Sequence, residues 1–370
     1  MRALSRALLA GVVLAASVIN SPAGAGPALL FDAEDGSVFY AEDPDLAWYP
    51  ASLTKLMTAY LTFEAIKAGK LTLETKISVS EKAFQQTPSK VGLPVGGEMT
   101  VDVALRALII KSANDVAVML AEAIGGSEEA FAESMNATAK RLGMSRSNFV
   151  NANGLPDNKQ VTTARDMGLL ARAIIRDHAQ YLPLFSEPQM RLGRIRMGTH
   201  NSLLKTYAGA DGLKTGFICA SGYNVVATAT RDSRRLVAVV LGESSGLARA
   251  TRAAALLDHG FEHREWAAFF NKSHIDSLPF DPADASDPQD IRKVVRSWEC
   301  GNRGAGPRPR SLKVATRKKG EKVEKVADPN AEQVQTASTT AAPQQTTKKS
   351  RKQTAPAVKN APPPAPAVTE

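Results

Sequence analysis

Between residues 28 and 257 the apolar positions recur with two different periods. Ala28–Phe31 and Ser37–Tyr40 flank Asp35-Gly36, a dipeptide suited to the turn of a tight hairpin. From Ser52 to Ala68 the apolar residues stand at 53, 56, 57, 60, 61 and 65, which is the spacing of a helix face. A second helix is expected from about Thr100 to Ala123, with Thr100 and Asp102 near its start and Gly125-Gly126 after its end. Further helices are expected over about 128–142 and 162–177. After Gly212 the period changes. Leu213–Cys219, Tyr223–Thr230 and Leu236–Leu241 are rich in β-branched residues and separated by Ala220–Gly222 and Arg231–Arg234, so they read as consecutive antiparallel strands. Residues 247–257 return to helix. The expected fold is α+β (α/β): an antiparallel sheet assembled from both ends of the body, flanked by helices and carrying a helical insert.

The ends of the chain have a different character. Arg2 and Arg6 precede the apolar run Ala7–Ile19, and Ala23-Gly24-Ala25 follows a proline, the pattern of a cleaved signal peptide over residues 1–25. That run is well short of the roughly 20 residues a spanning helix needs. Export across the cytoplasmic membrane to the periplasm or another extracytoplasmic space follows. The chain has 370 residues and a formal charge of +9. Residues 301–370 carry 14 Lys+Arg against 5 Asp+Glu, the whole of that excess, with 9 prolines and no aromatic residue. Such a tail cannot bury enough apolar surface to offset its ordering entropy and is expected to be disordered. The neutral body gives no sign of nucleic-acid binding. The expected organisation is a domain at 26–262, a linker at 263–300 and a basic Pro/Ala/Lys-rich tail. With only two cysteines, Cys219 and Cys300, a multi-cysteine zinc module is excluded. Cys219 reads as a packed core residue, and whether the two pair depends on geometry.

Three short motifs carry the chemistry. In Ser52-Leu53-Thr54-Lys55 a hydroxyl and an amine three residues apart share a helix face. Chance alone supplies roughly one or two such matches in a chain this long, and Ser202-Leu203-Leu204-Lys205 is a second. Ser112-Ala113-Asn114 lies in mid-helix and interrupts the apolar runs Leu105–Ile110 and Val116–Leu120 with polar groups. Buried polar groups of that kind are costly unless paired or used. Ser134-Met135-Asn136 repeats the pattern without that setting. Lys214-Thr215-Gly216 occurs once, and its glycine allows another backbone or a ligand close to the strand.

Order and spacing bind the three together. Ser-x-x-Lys, Ser-x-Asn and Lys-Thr-Gly in this succession resemble the active-site serine penicillin-recognising enzymes. Pro50 to Tyr60, Ser112-Ala113-Asn114-Asp115, Asn153-Gly154-Leu155, Asp211 to Gly216 and Ala220-Ser221-Gly222-Tyr223-Asn224 are similar to the serine D-alanyl-D-alanine carboxypeptidases, the low-molecular-mass penicillin-binding proteins. The resemblance spans about residues 28–262. It implies a β-lactamase/transpeptidase-like fold and removal of the terminal D-alanine from peptidoglycan stem pentapeptides through a Ser52 acyl-enzyme. It also implies covalent inhibition by β-lactams and no cofactor or metal. None of His178, His200, His259, His263 and His274 sits in a triad motif, so Lys55 is the candidate base. A free lysine has a pKa of about 10.4, so Lys55 must be tuned downward by burial and by Lys214. Ser112 is the candidate proton relay and Asn114 the group that orients Lys55. The resemblance implies an oxyanion hole from the backbone N–H groups of Ser52 and Phe217. The substrate carboxylate would be met by Lys214 and Thr215 beside Gly216, and by Arg249, which could equally be a solvent-facing helix charge. His200 falls where many relatives carry arginine, which leaves its role open.

Other activities remain to be weighed. A DD-endopeptidase that cuts cross-links uses the same residues and is the nearest alternative. A class A β-lactamase deacylates with the Glu of a Glu-x-x-Leu-Asn string, and none occurs here. A non-catalytic wall-binding protein has no need of the full set of side chains. In the tail, Arg303–Lys319 and Lys348–Lys352 are basic clusters that read as a spacer or as an electrostatic contact with the anionic envelope.

Overall fold

The computed structural model describes residues 26–262, 273–280, 287–295, 297 and 300. The expected signal peptide and basic tail lie outside them. The Asp35-Gly36 turn joins β1 (Ala28–Asp32) to β2 (Val38–Glu42). A 3-10 turn at Ala51–Thr54 leads straight into α1 (Lys55–Lys67). The insert then runs through β3 (Lys76–Ser78), α2 (Glu81–Phe84), β4 (Glu98–Thr100), α3 (Val101–Arg106), α4 (Asn114–Gly125), α5 (Glu128–Arg141), α6 (Ala164–Asp177) and α7 (Pro183–Ser186). It closes with β5 (Gln189–Leu192), β6 (Ile195–Gly198) and α8 (Leu203–Thr206). Three long strands follow, β7 (Ala210–Ile218), β8 (Gly222–Arg231) and β9 (Arg234–Glu243), and then α9 (Gly246–Glu262).

The main sheet is antiparallel throughout, in the order β2-β1-β9-β8-β7. Strands from the two ends of the domain therefore meet in its middle, with Ala28 opposite Val240. Alternate strand residues point to opposite faces. Leu29, Phe31, Val226, Val237, Val239 and Leu241 join α1, α4 and α6 in the larger core. Leu30, Val225, Ala227, Leu236 and Val240 instead meet Ala253, Leu256 and Leu257 of α9. Each fully buried Leu or Val contributes about 1.5–3 kcal/mol, so both faces of the sheet are held by burial.

The second expected helix is not continuous. After α3, residues Ala107–Lys111 wind as a π-helix. Ser112 then turns left-handed (φ 61°, ψ 41°), Ala113 is extended, and α4 starts afresh at Asn114. No glycine or proline marks this break, and the apolar run on each side is buried as one helix would bury it. Two small two-stranded sheets, β3–β4 with α2 between its strands and the β5–β6 hairpin, were also not anticipated, because their three- and four-residue strands are too short to display a period.

Where described, the stretch expected to be a linker lies against the body. Ile275 and Val295 are fully buried, Ile275 N–H donates to Gly36 O (2.9 Å), and Ile291 N–H donates to Ala220 O (3.0 Å). Cys219 is not a core residue. It is half-buried and forms a disulfide with Cys300, 81 residues on, with the Cα atoms 5.4 Å apart.

Candidate active site

Ser52 sits in the 3-10 turn that caps α1, and Lys55 is the first residue of the helix proper. The turn is held by its neighbours rather than by its own side chains. Asn224 of β8 donates to Tyr49 O and Pro50 O (3.0 and 3.3 Å), and Gln160 donates to Thr54 Oγ1 (3.0 Å). Two glycines allow the close approach. A Cβ on Gly216 would stand 2.8 Å from Pro50 O and 3.1 Å from the amide nitrogens of Ser52 and Leu53. One on Gly154, at φ +84°, would fall 1.9 Å from Ala51 O. The glycine of Lys-Thr-Gly is thus where β7 meets the serine turn, and that of Asn153-Gly154-Leu155 lets a loop close over it.

Ser52 is partly exposed, whereas Lys55 is 1% exposed. Lys55 Nζ lies 3.1 Å from Ser52 Oγ, 2.7 Å from Asn114 Oδ1 and 2.5 Å from Asn153 O. Asn114 is fixed in this orientation because its Nδ2 donates to Thr87 O (2.9 Å). A lysine ammonium has three N–H donors and so serves all three oxygens. A neutral amine has two. They are taken by Asn114 and Asn153, which there can only accept, and the lone pair is left toward the Ser52 hydroxyl. The site is built so that deprotonated Lys55 faces the one neighbour with a proton to give.

Electrostatics favour that neutral form. Burial holds Lys55 well below the ordinary lysine value, the charge of Lys214 lowers it further, and Asp115 partly opposes them. Lys214, also buried, is brought to about 7 by desolvation and then by Arg249. Its Nζ donates to Ser112 Oγ (3.0 Å) and Thr215 O (2.9 Å). The left-handed turn at Ser112 therefore points its hydroxyl at Lys214, while Asn114, two residues on, reaches Lys55. A continuous helix would place positions 112 and 114 about 200° apart.

Arg249 is buried and does not face solvent. It donates to His200 O (3.1 Å), lies 5.9 Å from the centre of the Tyr223 ring, and is lowered to about 10 by burial. His200 stands at the surface. Its ring is pushed down to about 4, first by desolvation of the flank turned to the protein and then by Lys214, Lys111 and Arg249, so it is neutral at neutral pH. The Phe217 ring lies against Tyr223, centroids 4.2 Å apart and planes tilted by 31°. The competing Ser202-x-x-Lys205 match is a short surface helix at α8 with both ends exposed.

Some contributors were not singled out from sequence. The Asn153 carbonyl is a backbone group and leaves no trace in residue type. Asp115, buried, accepts from Val91 N–H and Gly92 N–H (the shortest 2.8 Å) and from Val116 N–H (2.9 Å). With Ser89 Oγ donating to Lys111 O (2.9 Å), it ties the 87–92 loop to the broken helix. Its adjacency to Ser112-Ala113-Asn114 was the available signal.

The architecture is that of the penicillin-binding proteins and transpeptidases. The family model for D-alanyl-D-alanine carboxypeptidases, peptidase family S11, matches residues 15–245, and the chain belongs to that family. It is 36% identical over 243 residues to the D-alanyl-D-alanine carboxypeptidase DacA of Haemophilus influenzae, covering 64% of this chain and 62% of that protein. It thus spans less than two thirds of that relative's length. Among solved structures, penicillin-binding protein 5 of H. influenzae matches with a TM-score of 0.63 at 35% identity, over 65% of this chain and 71% of that one. Penicillin-binding protein D2 of Listeria monocytogenes in a cefotaxime-bound form matches with a TM-score of 0.60 at 32% identity, over 65% and 99%.

Proposed function

We propose that this protein is a serine DD-peptidase that removes the terminal D-alanine from peptidoglycan stem pentapeptides. The observation that carries the reading is the buried Lys55 amine, 3.1 Å from Ser52 Oγ and depressed in pKa. In the reaction, Ser52 Oγ attacks the carbonyl of the penultimate D-alanine and its proton passes to Lys55. The oxyanion is held by the N–H groups of Ser52 and Phe217. The tetrahedral adduct expels D-alanine, whose amine takes a proton by way of Ser112 and the lysines. Water then cleaves the ester and regenerates Ser52. Protonated Lys214, with Thr215 and Arg249, meets the terminal carboxylate. β-Lactams acylate the same serine, a reading supported by the cefotaxime-bound relative.

The work of such an enzyme lies outside the cytoplasmic membrane, with residues 1–25 as the export signal. Among the described residues no helix is long and apolar enough to cross a membrane. The basic clusters of the tail would add a salt-sensitive contact with anionic envelope polymers. A labelled penicillin is the direct test. Wild type is expected to be labelled and to release D-alanine from a pentapeptide, and Ser52→Ala to do neither while remaining folded. Labelling of Ser52→Ala at the wild-type rate would remove Ser52 from the role. Release of D-alanine from free pentapeptide, compared with cleavage of cross-linked muropeptides, separates a carboxypeptidase from an endopeptidase.

A further inference from the structure

We propose that the Cys219–Cys300 disulfide positions the end of β7 against the serine turn, and that reducing it slows acylation of Ser52; the proposal rests on the serine-peptidase reading above. Among the described residues β7 is the edge strand of the main sheet, paired only with β8. Its other side meets the serine turn at Gly216. Register along this edge depends on what holds the turn after Ile218. Trp48 Nε1 donates to Ser221 O (3.0 Å), on the side of the body. The turn also closes on itself, Ser221 N–H donating to Ile218 O (3.1 Å), and Ile218 pairs with Gly222 of β8. Further fastenings come from the segment beyond α9. Ile291 N–H donates to Ala220 O, and the Ile291 side chain packs so closely on Gly222 that a Cβ there would fall 2.6 Å from its Cδ1. The disulfide closes this clamp at Cys219.

Cys219 is two residues past Phe217, about 7 Å along the strand. The Phe217 ring packs against Tyr223, and Tyr223 lies beneath Arg249. The rim of the site and the clamp therefore share one hairpin. Both cysteines are half-buried, within reach of a small dithiol. One thiolate of the dithiol attacks a protein sulfur to give a mixed disulfide, and its second thiol closes the reductant's own disulfide. Two electrons and two protons pass to the protein, leaving thiols at Cys219 and Cys300. Residues 287–295 are then held to the β7–β8 turn by non-covalent contacts alone, and the Phe217 end of β7 keeps its pairing with β8 but loses its covalent tie and has more room to shift. A shift of the order of 1 Å is enough to cost up to about a hundredfold in rate when it displaces a group that must meet the reacting atoms.

The test uses the full chain, a fluorescent penicillin and dithiothreitol. Thiols are counted and circular dichroism is followed alongside. Reduction is expected to lower the limiting acylation rate about tenfold while the concentration giving half that rate is little changed, because Lys214 is held by other contacts. Reoxidation should restore the rate. Cys300→Ser should match reduced wild type with or without dithiothreitol; should that variant fold poorly, reversible reduction of the native protein decides alone. An unchanged limiting rate with both thiols titrated would overturn the inference, as would a loss of rate that tracks loss of secondary structure. If the oxidised protein is not labelled at all, it is the proposed function that fails.

Discussion

Residues 101–125 and helix α6 have the same pattern in the sequence, an apolar stripe behind a threonine cap, yet they fold differently. In α6 the Thr163 hydroxyl accepts from Asp166 N–H (3.0 Å), and the helix runs unbroken from Ala164 to Asp177. At 101–125 the cap is also made, by Thr100 on Val103 N–H (3.4 Å), but the helix loosens into a π turn and stops at a left-handed serine. A non-glycine residue in that region costs of the order of 1–3 kcal/mol and persists only where its surroundings hold it. Here the 87–92 loop does so. Helix α6 follows local rules and builds core, whereas the broken helix departs from them and carries Ser112 and Asn114 toward the two lysines. Departures of that kind gather where chemistry is to be done.

Substitutions can push this contrast in either direction. The largest effect is expected from Lys55→Ala. Penicillin acylation should fall by at least about a thousandfold with the fold retained, since the serine keeps its hydroxyl but loses its base. The pH profile is expected to show the next largest change. Acylation should rise with pH as Lys55 loses its proton, and fall again above about 7, where Lys214 loses the charge that meets a carboxylate. A flat profile from pH 5 to 10 with acylation rate-limiting would rule out the lysine base. Asp115→Ala strips an acceptor from three backbone N–H groups. It should cost about 3 kcal/mol in denaturant unfolding and slow acylation as well. The matched change in the regular helix, Thr163→Ala, should cost only about 1 kcal/mol and leave acylation untouched. Equal effects of these last two on acylation would mean that the break has no special part in the site.

Much of this was legible in the sequence. The hairpin at Asp35-Gly36, the three long strands and the helices at α1, α5, α6 and α9 follow from period and turn chemistry. The three motifs name the side chains that meet around Ser52 and Lys214. What escaped notice has physical reasons. Ser112 leaves the helix because of contacts with residues 87–92, which no local pattern encodes. The Asn153 carbonyl would be there whatever its side chain. Cys219 looks like core on a strand, and the return of residues 287–295 to the β7–β8 turn accompanies the placing of Cys300 beside it.

The strand order has a consequence for how the molecule comes into being. β1 lies in the interior of the sheet and its partner β9 begins only at Arg234. A growing chain therefore completes the Ser52–Lys55 segment long before the sheet behind it can close. Until then both edges of the β1–β2 hairpin are unsatisfied and it has apolar residues on both faces. Such long-range pairing is slow and exposes sticky intermediates to association. The nascent protein carries its nucleophile early but lacks the strand that brings Lys214 to Ser112, so a fragment ending before β7 should be inert toward penicillin and prone to aggregate.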